Sequence, residues 1–322
     1  MTDAADALPW ALDPELAAVV PFLPQPDLSD VAAARALLDD LISQFAGDPD
    51  VSRLVIEDRV APGDGDQPDV PVRVYRPRAP APEGGRPAVL YLHGGGFVMG
   101  SVDIEHIGAV QVADELGVVV VSVEYRLAPE HPFPAAPEDC YHALRWLHAE
   151  SGPLGVDAGR VAVMGSSAGG GLAAAVALLA RDRGGPALCL QFLGFPELDD
   201  RLDTPSMRAF VDTPLWNRPS AVLSWRYYLG DAAGSDDVSH YAAPARATDL
   251  AGLPPTYISA QEFDPLRDEA LDYGARLLEA GVSVEVHHFP GTFHGSTAVA
   301  AAAVSKRQLD EQYAVLRRHL GG

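Results

Sequence analysis
From residue 87 onward the chain alternates short, unbroken apolar runs with stretches of helical spacing, and few folds accept that pattern. The runs are Ala88–Leu92, Val118–Val123, Val161–Met164, Leu188–Leu193, Thr256–Ser259 and Val284–His287. Helical stretches fall near 105–116, 136–149, 168–183, 266–280 and 297–319. A run such as Val118-Val-Val-Val-Ser-Val123 has no polar face to offer water, so both of its faces need cover. Strand then helix, repeated, predicts an α/β fold with a doubly wound, mostly parallel sheet. Upstream, Arg53–Val60 and Val70–Tyr75 read as two more strands around the turn-rich Pro62-Gly-Asp-Gly65.

Two intervals break the rhythm. Residues 1–47 look helical and amphipathic, with breaks at Pro21, Pro24 and Pro26 and with Leu37, Leu38, Leu41 and Phe45 at helical spacing. Residues 198–240 carry Met207, Phe210, Trp216, Trp225, Tyr227 and Tyr228 but no clear strand. A stretch of that length between two sheet strands predicts an inserted element, not a structureless loop.

Composition narrows the function classes. The formal net charge of −22 opposes phosphate backbones and anionic headgroups, so neither a nucleic-acid nor a membrane partner is expected. Cys140 and Cys189 have no metal-ligand spacing and are too few for a disulfide framework; Cys189, in Ala187-Leu-Cys-Leu-Gln-Phe-Leu193, is expected in the core. The first residues carry acids and no basic stretch followed by an apolar one, and no apolar run reaches membrane-spanning length, so the expected location is cytoplasmic.

The chemistry centres on Gly165-Ser166-Ser167-Ala168-Gly169, a G-x-S-x-G in which only Ser167 can be the central serine. It falls between a buried strand and a small-residue helix, where a sharp turn presents the hydroxyl and the helix N-terminus favours negative charge. His93-Gly94-Gly95-Gly96-Phe97 follows an earlier strand. Its bare backbone N–H groups, with that of Ala168, suit the oxyanion of an acyl-transfer intermediate. A serine nucleophile needs a base, and the base needs an orienting acid, expected in the chain order Ser, acid, His. His294 lies just after the last strand and is the expected base; His287 and His288 lie within that strand, and His93 is expected to brace the glycine loop. Asp264 is the expected acid, with Glu262 the weaker rival. Pro265 is expected to open a helix that Asp264 caps, with Asp268 and Glu269 as dipole partners in its first turn.

Taken together, His93–Phe97, Tyr125-Arg-Leu-Ala-Pro-Glu-His-Pro-Phe-Pro-Ala135, Gly165–Gly170, Asp264–Glu269 and His294-Gly295 resemble the hormone-sensitive-lipase family of α/β-hydrolases, the arylacetamide deacetylase-like esterases. The resemblance implies a triad of Ser167, Asp264 and His294, an oxyanion hole of Gly95, Gly96 and Ala168, and no cofactor or metal. It also implies a helical cap made of residues 1–47 and 198–240 over a catalytic domain of residues 48–197 and 241–322, and a possible homodimer. Ser166 stands where many members carry Asp and a smaller group Thr, and Ser296 where many carry Phe; the chemistry does not need either side chain, but both touch the choice of substrate. The expected activity is hydrolysis of short- to medium-chain carboxylic esters, a small-molecule substrate, through an acyl-enzyme. Amide, carbamate or lactone cleavage by the same triad is the alternative. A non-catalytic ligand receptor, as in the plant gibberellin receptors that resemble this family but lack its His, is disfavoured by His294.

Overall fold
The computed structural model describes residues 10–45, 47 and 49–321. Eight strands, β1 (Leu54–Ala61), β2 (Val70–Pro77), β3 (Arg86–Leu92), β4 (Val119–Val123), β5 (Val156–Ser166), β6 (Leu190–Gly194), β7 (Thr256–Phe263) and β8 (Val284–Phe293), form one sheet in the order β1-β2-β4-β3-β5-β6-β7-β8. β2 runs antiparallel to both β1 and β4. Every other pairing is parallel. The predicted doubly wound, mostly parallel sheet is therefore present.

Residue alternation divides the core. Val119, Val121 and Val123 of β4 join one apolar cluster, whereas Val118 just before the strand and Val120 within it join another on the opposite face. The second face is covered by α3 (His106–Leu116) and, past the sheet's far end in sequence, by α10 (Ala303–Leu320), which contributes Val315, Leu316 and Leu320. The first face is covered by α4 (Ala135–Ala149), α6 (Ala168–Asp182) and α9 (Arg267–Glu279), with the one-turn α5 (Ser151–Leu154) leading into β5. Each fully buried Val contributes about 1.5–3 kcal/mol over its exposed state, and the one polar residue of β4, Ser122, is buried with its hydroxyl unpartnered among the described residues. Cys140 lies in the first core, while Cys189, expected in the core, is only partly buried at the approach to β6. Among the described residues no helix is long and apolar enough to cross a membrane.

The two irregular intervals lie over the loops at the carboxyl end of the parallel strands. The first holds the single-turn α1 (Pro14–Ala17), a 3₁₀ turn Val20–Phe22 and α2 (Val31–Phe45). Residues 1–9 and the side chains of Leu41 and Phe45 lie outside the described residues. Ala34 is buried and Leu38 packs beside it against the first core, but Leu37, expected on the apolar face, is exposed. The second interval holds α7 (Pro205–Ala209), α8 (Arg218–Leu229) and a 3₁₀ turn Gly230–Ala232. The Tyr227 hydroxyl donates to the Leu28 carbonyl at 3.1 Å, tying the intervals together. Arg35 donates to the carbonyls of Val98 (2.7 Å) and Ala128 (2.9 Å), tying the first interval to the loops beneath.

Candidate active site
β5 ends at Ser166 and α6 begins at Ala168, so the single residue Ser167 turns the chain between them. Its φ of 57° and ψ of −126° lie where an L-residue is strained. The flanking glycines make the turn possible. A Cβ on Gly165 would sit 2.3 Å from the Gly169 carbonyl oxygen, and one on Gly169 would sit 2.2 Å from that of Leu92. The G-x-S-x-G pattern is thus a packing requirement of strand against helix. The elbow is pinned by the Ser167 N–H donating to Gly194 (2.8 Å), and by the Ser167 carbonyl accepting from the N–H groups of Gly171 and Glu197 (3.0 Å each). Ser166 pairs with Gly194 in β6, where any side chain at 194 would collide with its hydroxyl.

The structure brings the three expected residues into one row. The Ser167 hydroxyl lies 2.9 Å from His294 Nε2, and His294 Nδ1 lies 2.8 Å from Asp264 Oδ2. A carboxylate only accepts, so Nδ1 carries the hydrogen and Nε2 is free to receive the serine proton. Asp264 is wholly buried and its other oxygen accepts from the Leu266 N–H at 2.9 Å. That contact corrects the expected cap: α9 starts at Arg267, so Asp264 closes a turn before the helix and Pro265 does not open it. Glu269 is also not a free dipole partner. It is buried and accepts from the N–H groups of Leu198 (2.6 Å) and Asp199 (3.2 Å), and burial pushes its carboxyl well up. Asp268 pairs with Arg267 and accepts from the Ser206 N–H. The rival Glu262 accepts from the Gly291 N–H at 2.7 Å and takes no part in the row; His287 lies between Glu285 and Glu311.

The glycine loop arrives from β3. Gly95 and Gly96 have φ of 121° and 57°, and a Cβ on Gly95 would meet the Met99 carbonyl oxygen at 2.3 Å. Among the described residues, the N–H groups of Gly95, Gly96 and Ala168 have no acceptor. Unpartnered N–H groups in a largely buried loop are rare and point to an acceptor supplied from outside. His93 braces the loop as expected. Its ring stacks on Tyr125 (4.0 Å between centroids), its Nδ1 donates to the Gly94 carbonyl at 2.8 Å, and burial lowers its pKa to about 4, so it stays neutral. The Tyr125 hydroxyl donates to the His93 carbonyl at 2.7 Å, and the Ala128 N–H to Phe97, which explains the Tyr125–Ala135 motif as a buttress of this loop.

Three neighbours escaped the sequence reading as site residues. Trp216 lies over the site: a Cβ on Gly96 would be 2.5 Å from its indole, and its ring is 5.8 Å from that of His294. Phe195 meets His294 edge-on at 5.0 Å. Glu197, just beyond β6, is wholly buried, and burial lifts its pKa to about 8. Its place after a strand, at the same sheet edge as Asp264, was the available signal. Phe97, Ser167, Phe195 and Leu215 all have positive φ, so backbone strain gathers around this site.

A hydroxyl–imidazole–carboxylate row beside free N–H groups is able to generate a nucleophile and to hold the oxyanion it creates. Known proteins agree with that chemistry. A family model described as the alpha/beta hydrolase fold matches residues 89–298. The esterase LipI of Mycobacterium tuberculosis is 39% identical over 297 residues, spanning 92% of this chain and 90% of its own. The carboxylesterase NlhH of the same organism is 40% identical over 302 residues, spanning 92% and 91%. Among solved structures, a bacterial heroin esterase aligns with a TM-score of 0.94 at 52% identity, covering 97% of this chain and 99% of its own. Sheet order, motif order and sequence thus converge, and the chain belongs to the α/β-hydrolase family, in the hormone-sensitive-lipase group that its motifs resemble.

Proposed function
We propose that this chain is a serine carboxylesterase in which Ser167 is the nucleophile, His294 the general base and then acid, and Asp264 the group that orients His294. The hydrogen-bonded row Ser167–His294–Asp264 carries the reading. His294 takes the Ser167 proton as the hydroxyl oxygen attacks the ester carbonyl. The N–H groups of Gly95, Gly96 and Ala168 receive the oxyanion. Collapse expels the alcohol with the proton from His294, and water then releases the acid by the same steps in reverse.

The same residues favour short- to medium-chain esters. Trp216 closes over Gly96 and narrows the space beside the oxyanion. Residues 1–47 and 198–240 act in this reading as a cap over a catalytic domain of residues 48–197 and 241–322. The inter-interval bond from Tyr227 to Leu28 supports the pairing. Two unpaired cysteines suit a reducing, cytoplasmic setting.

The test is a series of aryl and alkyl esters from acetyl to palmitoyl, with matched amides and lactones, against wild type and Ser167→Ala. Short acyl groups should turn over fastest, and Ser167→Ala should lose at least about 10⁴-fold in kcat. Full turnover by Ser167→Ala, or a preference for palmitoyl esters, rejects the assignment; faster amide or lactone turnover moves it within the hydrolases.

A further inference from the structure
Glu197 is a buried carboxyl that the reaction above leaves unused. It is wholly buried, and among the described residues no arginine, lysine or histidine pairs with it. Its backbone N–H donates to the Ser167 carbonyl, and its own carbonyl oxygen lies 2.1 Å from where a Cβ on Gly171 would be, so its main chain is wedged against the elbow. Its side chain reaches the other way. Oε1 lies 3.2 Å from Ser224 Oγ on α8, and Oε2 has no partner. Ser224 is itself buried, and its Oγ lies 2.8 Å from the Gly96 carbonyl oxygen.

Counting hydrogens fixes the direction of these bonds. The Ser224 hydroxyl has one hydrogen, and a carbonyl oxygen can only accept, so that hydrogen goes to Gly96. The contact between Ser224 Oγ and Glu197 Oε1 then needs a hydrogen of its own, and only Glu197 can bring it. The surroundings agree. The titratable groups facing Glu197 are Asp264 beyond β7, Glu269 on α9 and the Tyr228 phenol on α8, each acidic or neutral. Burial first, opposed by the Ser224 contact and reinforced by Asp264, holds the Glu197 proton until about pH 8.

We propose that Glu197 is a positioning residue kept as a neutral carboxylic acid: it donates to Ser224, Ser224 donates to the Gly96 carbonyl, and this relay locks the glycine loop so that its N–H groups face the reacting carbonyl. The inference rests on the oxyanion reading of that loop. Once Glu197 ionises, Ser224 faces two acceptors with one hydrogen. An anion also then stands beside the elbow where negative charge must develop. The loss falls on kcat rather than on substrate binding, because the oxyanion exists only after attack.

The experiment is kcat and KM between pH 6 and 10 (roughly 2 units either side of the expected midpoint), with one soluble acetyl ester, for wild type, Glu197→Gln and Ser224→Ala. Wild-type kcat should fall about tenfold or more along an alkaline limb centred near pH 8, with KM changing less than about threefold. Glu197→Gln, whose amide donates to Ser224 at every pH, should keep kcat within about fivefold of wild type at pH 7 and lose the limb. Ser224→Ala should cut kcat about tenfold already at pH 7. A limb that survives in Glu197→Gln, or a wild type without one, overturns the relay. Should Glu197→Gln not fold, infrared titration of wild type reads the same group. A neutral-carboxyl band must bleach with the midpoint of kcat, and Ser224→Ala, which removes the acceptor of the neutral acid, must lower that midpoint; an absent band, or a midpoint that stays or rises, overturns the proposal. Turnover by Ser167→Ala would instead reject the triad, so the two failures are distinct.

Discussion

Ser167 and Trp216 stand within one site but are held in opposite ways. The elbow is fixed by backbone: a strained φ, two glycines with no room for a methyl, and three main-chain hydrogen bonds. The 198–240 interval is fixed by side chains: Tyr228 stacked on Phe97 at 4.2 Å, Trp225 buried beside them, and the buried Asp200 paired with Arg246. Backbone geometry has no intermediate settings, whereas a packed side chain can be exchanged for a smaller one. The elbow side should therefore be unforgiving and the covering side tunable.

The sharpest way to break that contrast is Asp264→Asn, on the rigid side. It keeps the shape but lets His294 adopt the wrong tautomer, and kcat should fall by on the order of 10⁴-fold with KM little changed. Single-turnover kinetics on an activated ester would check it; a loss under tenfold would place the orienting role elsewhere. Next comes Gly169→Ala, whose methyl has the Leu92 carbonyl 2.2 Å away. It should cost about 3 kcal/mol or more in urea unfolding. Gly152→Ala, with nothing within 4 Å, should stay within about 0.5 kcal/mol.

Glu197 belongs to both regions and gives a prediction of a few kcal/mol. Its folded pKa of about 8 lies above the unfolded value of 4.5, so the native state retains a proton that the unfolded chain releases. Its contribution is fully present below about pH 4.5 and is lost as pH rises to about 8, at roughly 1.4 kcal/mol per pKa unit at most. Glu269 adds a loss in the same direction. Urea midpoints at pH 5 and 8 should fall further in wild type than in Glu197→Gln. The smallest effect tests the tunable side. Trp216→Ala should raise the kcat/KM ratio of octanoyl to acetyl esters about tenfold without loss of fold; an unchanged ratio would mean that Trp216 does not bound the acyl space.

The parts legible in the sequence are those set by local rules. Unbroken Val runs require cover on two faces, so the parallel sheet could be read directly. The elbow glycines, the glycine loop and the order Ser167, Asp264, His294 were likewise visible, because each residue follows a strand. Strand ends were less legible. β5 starts at Val156 and β8 runs on to Phe293, but the ladders step from 156 to 161 and from 289 to 293, so Asp157–Arg160 and Pro290–Thr292 are irregular residues of poor strand propensity carried between paired ones. Glu197 sits in Pro196-Glu-Leu-Asp-Asp200, which reads as a solvated loop. Its burial is decided by α8, more than twenty residues away, and no local pattern carries that information.

β8 is an edge strand, and His294 is the first residue past its end. One flank pairs with β7; beyond it the Asp13 N–H donates to the Gly291 carbonyl at 2.9 Å, and Glu311 and Arg318 of α10 pair with His287 and Glu285. The base is thus mounted at the margin of the sheet while the nucleophile springs from its middle. Margins open by sub-global fluctuation long before the centre does. On warming, turnover should fade while circular dichroism still reports an intact fold, and amide exchange should quicken first at residues 289–293. Asp13, remote in sequence from every reacting atom, is thus among the contacts that hold the margin carrying the base.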